Sequence, residues 1–123
     1  MYYQDLLVWK KAMRLVMDVY RLVRNFPKDE KYALGDQMRR AVVSIPSNIA
    51  EGQQRQTVKE FIHFLYIAKG SCAELTTQLF ICRELFQLDN EQIQKALAQT
   101  NEVGRMLTAL IKNLSTTPHS FPK

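Results

Sequence analysis

Residues 39–55 read RRAVVSIPSNIAEGQQR. Ala41, Val42, Ile45 and Ile49 recur at the spacing of one helix face, and Leu34 and Met38 extend that stripe backwards. Pro46 stands in its middle. A proline inside a helix has no N–H for the carbonyl four residues back, here Val42, and its ring crowds the preceding turn. The stretch is therefore predicted as a core helix over 34–50, bent at Pro46. Ser44, Ser47 and Asn48 can offer replacement hydrogen bonds to the carbonyls freed near Val42 and Val43. Gly52 follows, in the position typical of a helix C-terminus.

The same segment carries a polar face made of Gln37, Arg40, Ser44, Asn48 and Glu51. Arg40 and Glu51 lie about 16 Å apart along the axis, too far to pair with each other. Each needs a partner on another helix, a neighbouring subunit, water or a ligand. Three readings stay open for Gln37, Arg40, Ser44, Ser47, Asn48 and Glu51. They form a buried polar network that fixes helix register, they lie at a subunit interface, or they bind a ligand or nucleic acid directly. Under the first two, replacing Arg40 or Glu51 damages folding or assembly, because a buried charge needs a partner.

Three further amphipathic segments flank this one, and no segment alternates as a strand would. The first helix is predicted over 5–25 and stops at FPKDE, since Pro27 disfavours helix at the residue before it. Its wheel, at ~100° per residue, carries two adjacent apolar stripes. One is Trp9, Met13, Val16, Tyr20 and Val23; the other is Val8, Ala12, Leu15, Val19 and Leu22. Lys10, Arg14, Arg21 and Arg24 share the remaining face. A single core needs only a stripe somewhat wider than ~100°, so this helix is expected to be buried on two sides.

The third helix opens at TVKE, where Thr57 and Glu60 have capping-box spacing, and runs to Phe86. Phe61, Phe64, Leu65, Ala68, Cys72, Leu75, Leu79, Cys82 and Phe86 form its core stripe; Ile62, Tyr66, Ala73 and Phe80 form an offset second one. The small run from Gly70 to Ala73 leaves room for another backbone. Asp89 and Gln92 are placed to cap a fourth helix that ends near Leu114, with Ile93, Ala96, Leu97, Thr100, Val103, Leu107, Leu110, Ile111 and Leu114 facing inward. Gly104, on that face, suggests a close helix contact. Short connections between long helices favour antiparallel neighbours. The expected fold is all-α: one domain over 1–114, an antiparallel up-down-up-down four-helix bundle, followed by a flexible polar tail over 115–123. The second stripes of the first and third helices ask for a further partner, and a closed homo-oligomer is the common solution.

At 123 residues the chain can bury a core without metals or disulfides. No apolar run approaches a membrane span and no signal-peptide h-region opens the sequence, so the chain is read as cytoplasmic. The net charge of +5 is uneven: residues 1–60 hold 11 Lys/Arg against 7 Asp/Glu, and residues 61–123 hold 6 against 5. Such an excess suits a polyanion such as RNA or DNA, and equally an ordinary basic surface. Cys72 and Cys82 sit ten positions apart on one helix, about 15 Å, and are expected as buried, unbridged thiols. His63 and His119 lack metal-ligand spacing, the single ExxH is Glu60 with His63, and there is no GxSxG or glycine-rich phosphate loop. No enzyme, cofactor, metal or small-molecule substrate is expected.

DLLVWKKA, FPKDEKYALGDQMRRAVVSIPSNIAEG and EFIHFLYIAKGSCAEL resemble the four-helix-bundle family of 23S rRNA intervening-sequence proteins, over about residues 3–114. The resemblance implies a small bacterial bundle, often encoded within insertions in 23S rRNA genes. It implies kinship to homopentameric bundles and to the accessory proteins of diversity-generating retroelements, which work with a reverse transcriptase and bind nucleic acid. It brings no catalytic residue. The candidate nucleic-acid contacts are the basic face of the first helix, Lys10, Arg14, Arg21 and Arg24, with Lys28, Lys31, Arg39, Arg55 and Lys59. Repeated around a homo-oligomer, such a patch sums many weak phosphate contacts. The competing expectation is a scaffold whose basic face meets an acidic protein partner.

Overall fold

The computed structural model describes residues 3–86 and 90–116. A 3-10 turn, Tyr3–Asp5, leads into α1, Leu7–Arg24. A single turn, α2, Lys28–Lys31, precedes α3, Leu34–Gln53. Two long helices follow: α4, Val58–Leu85, and α5, Asn90–Thr116. Predicted Asp89 lies outside the described residues, as do 117–123; α5 carries Ser115 and Thr116, so it ends two residues beyond the expected Leu114.

The four long helices pack in a ring of neighbours, α1 on α3, α3 on α4, α4 on α5 and α5 on α1. Cross-helix contacts show that α1 and α5, and likewise α3 and α4, run antiparallel. Lys11 meets Glu102 at 3.2 Å while Asn25 bonds Gln92, so α5 descends as α1 rises. Ser44 meets Ser71 while Met38 meets Cys82, which sets the same opposition for α3 and α4. The apolar periodicity explains the core: Ala12, Leu15, Val19, Met38, Ile45, Ile49, Leu65, Leu75, Leu79, Ile93 and Leu107 are all buried on inward faces. Phe26, which the sequence places only in a helix stop, is buried as well and packs on Phe86 with ring centroids 5.0 Å apart.

Thr57 caps α4 as its spacing foretells. Its Oγ1 accepts from the Glu60 backbone N–H at 3.1 Å and donates to Glu60 Oε1 at 3.0 Å. The glycines depart from expectation. Gly52 is not a terminator: α3 runs through it to Gln53, no glycine among the described residues has a positive φ, and Gly52 is buried. A Cβ there would stand 2.6 Å from Phe64 Cβ, so Gly52 lets α4 pack closely against α3. Gly70 and Gly104, expected at close contacts, face open space instead. The reason is geometric: two antiparallel helices joined by a short turn converge near that turn, and Gly52 is next to it.

The second stripes are left partly uncovered. On α4, Tyr66 is 56% and Phe80 43% exposed, with Ile67 and Ile81 beside them. On α1, Trp9 and Met13 are half-buried and Tyr20 is 39% exposed. Among the described residues, no helix is long and apolar enough to cross a membrane.

Candidate nucleic-acid interface

α1 buries Val8, Ala12, Leu15, Val16, Val19, Leu22 and Val23, and its opposite face carries Lys10, Arg14, Arg21 and Arg24, with Leu7, Met17 and Tyr20 also exposed. All four basic side chains are exposed. α5 brings Lys95 to the same ridge, where Arg14, Met17, Asp18, Arg21 and Lys95 border a shallow depression of about 540 Å³. Asp18 holds the ridge together. Its carboxylate accepts from Arg21 at 2.9 Å and from the Gln99 amide at 2.9 Å, with Lys95 at 3.9 Å. Lys10, Arg14 and Arg24 have no ion-pair partner among the described residues, so their charge is available to a polyanion.

Across the ridge, Tyr20, Asp36, Arg39, Arg40 and Val43 line a second depression of about 360 Å³ between α1 and α3. Arg39 is engaged on three sides. It pairs with Asp36, donates to the Lys31 carbonyl at 3.0 Å, and lies 5.9 Å from the Tyr20 ring centroid. Arg40, next to it, is exposed and has no ion pair among the described residues.

The nine basic residues expected to act together divide in space. Lys28 and Lys31 lie on α2, at the end of the bundle that Arg24 and Arg39 also reach. Arg55 and Lys59 lie at the other end, about 30 Å away along α3. Arg55 is also occupied: it bonds Glu51 at 2.8 Å and sits 4.7 Å from the Phe64 ring centroid.

The polar face of α3 divides too. Its middle is a network within the subunit. Asn48 Nδ2 donates to the Ser44 carbonyl at 2.8 Å and to Ser44 Oγ at 2.9 Å, and Ser44 Oγ meets Ser71 Oγ of α4 at 2.9 Å. These bonds fall on Ser44, not on the Val42 carbonyl that Pro46 leaves free. Its ends, Gln37, Arg40 and Glu51, are exposed, and Glu51 finds Arg55 only one turn on, so neither charge is buried in the subunit. Ser47 is exposed and lies with Tyr3, Trp9, Met13, Val43, Pro46 and Ala50 around an apolar groove of about 310 Å³.

Sequence reading missed Ser71, Lys95 and the role of Tyr20. Lys95 and α1 are brought together by the α1–α5 packing alone, and Ser71 stands in a small-residue run. Tyr20 did carry a signal, since a tyrosine ending an apolar stripe keeps a polar tip for water. The two thiols are buried and free, and burial pushes them up to about 11 for Cys72 and about 12 for Cys82. His63 is exposed, and no group of three or more His, Cys, Asp or Glu among the described residues is placed to hold a metal ion.

A model of the 23S rRNA-intervening sequence protein family matches residues 4–109. The fold is similar to the crystal structure of a protein of unknown function from the S23 ribosomal protein family of Bacteroides thetaiotaomicron VPI-5482. The TM-score is 0.80 at 23% identity, covering 86% of this chain and 99% of that one. No curated protein matches the chain. The family match runs from the 3-10 turn into the last turns of α5, and the chain belongs to the 23S rRNA-intervening sequence protein family.

Proposed function

We propose that this chain is a non-enzymatic, homo-oligomeric, cytoplasmic protein that associates with RNA through the ridge of α1. The observation that carries the reading is the ridge itself: Lys10, Arg14 and Arg24 stand unpaired on one exposed face, with Arg21 and Lys95 flanking them. Phosphate contacts of this kind position a nucleic acid and carry little sequence information. The oligomer is supported by apolar grooves on opposite sides of the bundle. One lies between α1 and α3 around Trp9, Met13, Val43 and Pro46; the other, of about 290 Å³, lies between α4 and α5 around Thr76, Phe80, Leu97 and Ala98. Two different patches that meet head to tail generate a ring, of five subunits by the family resemblance. A ring repeats the α1 ridge and multiplies its weak contacts.

The test has two arms. Light scattering of the nucleic-acid-free protein gives the oligomer mass, and Val43→Glu, at a half-exposed position in the α1–α3 groove, is expected to reduce it without loss of helix. Anisotropy of a labelled rRNA fragment, with a matched DNA, gives the affinity. The triple substitution Arg14→Glu, Arg21→Glu, Arg24→Glu is expected to abolish binding. A wild-type protein that binds no RNA at low salt overturns the reading in favour of a scaffold for an acidic protein.

A further inference from the structure

We infer that Arg40 of one copy and Glu84 of the next form the ion pair that sets the register of the head-to-tail contact; this rests on the homo-oligomer reading above. Burial of apolar surface is non-directional, so two apolar grooves alone fix neither the register nor the sense in which copies meet. A pair of opposite charges at the edge of the contact fixes both. Each groove has an uncommitted charge beside it. On α3, Arg39 is held by Asp36 and by the Lys31 carbonyl, whereas Arg40 is exposed and has no ion pair among the described residues. Arg40 borders a depression that shares Val43 with the apolar α1–α3 groove, so it stands at the edge of that groove. On α4, the carboxylates are Glu60, Glu74 and Glu84. Glu60 is engaged with Thr57 in the cap. Glu74 and Glu84 are exposed and have no ion pair among the described residues.

Helix geometry selects Glu84. Phe80 is the large apolar residue of the α4–α5 groove, and it stays 43% exposed although Arg83 lies over its ring, 4.9 Å from the centroid. Round α4, Glu84 stands ~40° from Phe80 and Glu74 ~120°, so only Glu84 shares the face that Phe80 presents. Along the axes, Arg40 lies about 4.5 Å before Val43, and Glu84 lies about 6 Å beyond Phe80. With Phe80 of the next copy against Val43, an antiparallel crossing of α3 on that copy's α4 carries both displacements the same way, and the two charges meet. It is the sense in which α3 and α4 already pack within one copy. A guanidinium and a carboxylate meet through two parallel hydrogen bonds, which adds geometric selectivity to the attraction.

The experiment is a charge swap read by sedimentation velocity of the nucleic-acid-free protein over a dilution series. Arg40→Glu sets two carboxylates against each other, and Glu84→Arg sets two guanidiniums. Each is expected to weaken association by about 10-fold or more, the scale of a close interfacial charge pair. A chain carrying both substitutions has the net charge of wild type and is expected to associate within about threefold of it. Glu74→Arg, on the other face of α4, is expected to stay within about threefold as well. Where Arg40→Glu lowers the helix content in far-UV circular dichroism, Arg40→Gln and Glu84→Gln replace the swap. Each is then expected to weaken association, and the two together no more than either alone. A single swap that leaves the mass unchanged, a double swap that stays dissociated, or rescue of Arg40→Glu by Glu74→Arg overturns the pair and leaves the oligomer standing. A wild-type protein that is monomeric at every concentration overturns both.

Discussion

Gly52→Ala is the substitution on which two physical effects oppose each other most openly. Gly52 lies inside α3 with a helical backbone, so alanine removes a helix penalty of about 1 kcal/mol. Propensity alone therefore foretells a more stable protein. The neighbours say otherwise. The new Cβ would stand 2.6 Å from Phe64 Cβ, 3.1 Å from Phe61 Cδ1 and 3.3 Å from the Phe61 carbonyl oxygen. Carbon pairs rest at about 3.5–4.0 Å, so α3 and α4 would have to part by about 1 Å. Phe64 Cβ is anchored to its backbone and cannot swing aside as a side-chain tip can. Overpacking of this kind typically costs about 1–3 kcal/mol and occasionally more, and a clash this close to backbone belongs at the upper end. The net expectation is a loss of about 1–2 kcal/mol, or a fall in Tm of about 4–8 °C for a domain of this size. Gly104→Ala supplies the control, since nothing lies within 4 Å of its added Cβ. There the propensity gain stands alone, and Tm should rise by up to about 4 °C. Thermal melts followed by far-UV circular dichroism read both. A Gly52→Ala protein that melts at or above wild type refutes the clash argument; a Gly104→Ala protein that melts lower refutes the propensity argument.

Other outcomes follow from the polar network and the thiols. Asn48→Ala removes both hydrogen bonds to Ser44 and should cost about 1–2 kcal/mol in urea denaturation, with m unchanged. Thr57→Ala removes the cap of α4 and should cost about 1 kcal/mol. Cys72 and Cys82 are raised from the ordinary 9.0 to about 11 and about 12 by burial, so between those values the folded protein holds protons that the unfolded chain has released. Stability should therefore be flat below pH 9 and fall as pH rises above it, and Cys72→Ser with Cys82→Ala should flatten that fall. Iodoacetamide at pH 8 should leave both thiols of the native protein unmodified and label both in guanidinium.

The helices were legible because an apolar stripe at helical spacing is a strong signal, and α1, α3 and α4 follow it closely. The cap at Thr57 was legible because it is local. What was not legible depended on which faces meet. Gly52 looked like a terminator in one dimension; only the convergence of α3 and α4 shows it to be a contact. Gly104 looked like a contact and opens on space. Glu51 was expected to need a distant partner, and Arg55 is one turn away. The basic residues read as one patch until the length of α3 separated Arg55 and Lys59 from Lys28, Lys31 and Arg39. Tyr20 was counted with the core, and the depression beside Arg40 exists only once α1 lies against α3.

The central claim is that the α1 ridge holds phosphates, and the salt dependence of RNA affinity tests it most directly. For single strands the slope of log K against log salt is about −0.7 per phosphate neutralised. Arg14→Gln with Arg24→Gln removes two unpaired charges from the ridge. The slope should become shallower by about 1.4 per ridge engaged, with affinity reduced at every salt concentration and the oligomer mass unchanged. An unchanged slope with an unchanged affinity would mean that these arginines touch no phosphate, and would contradict the account.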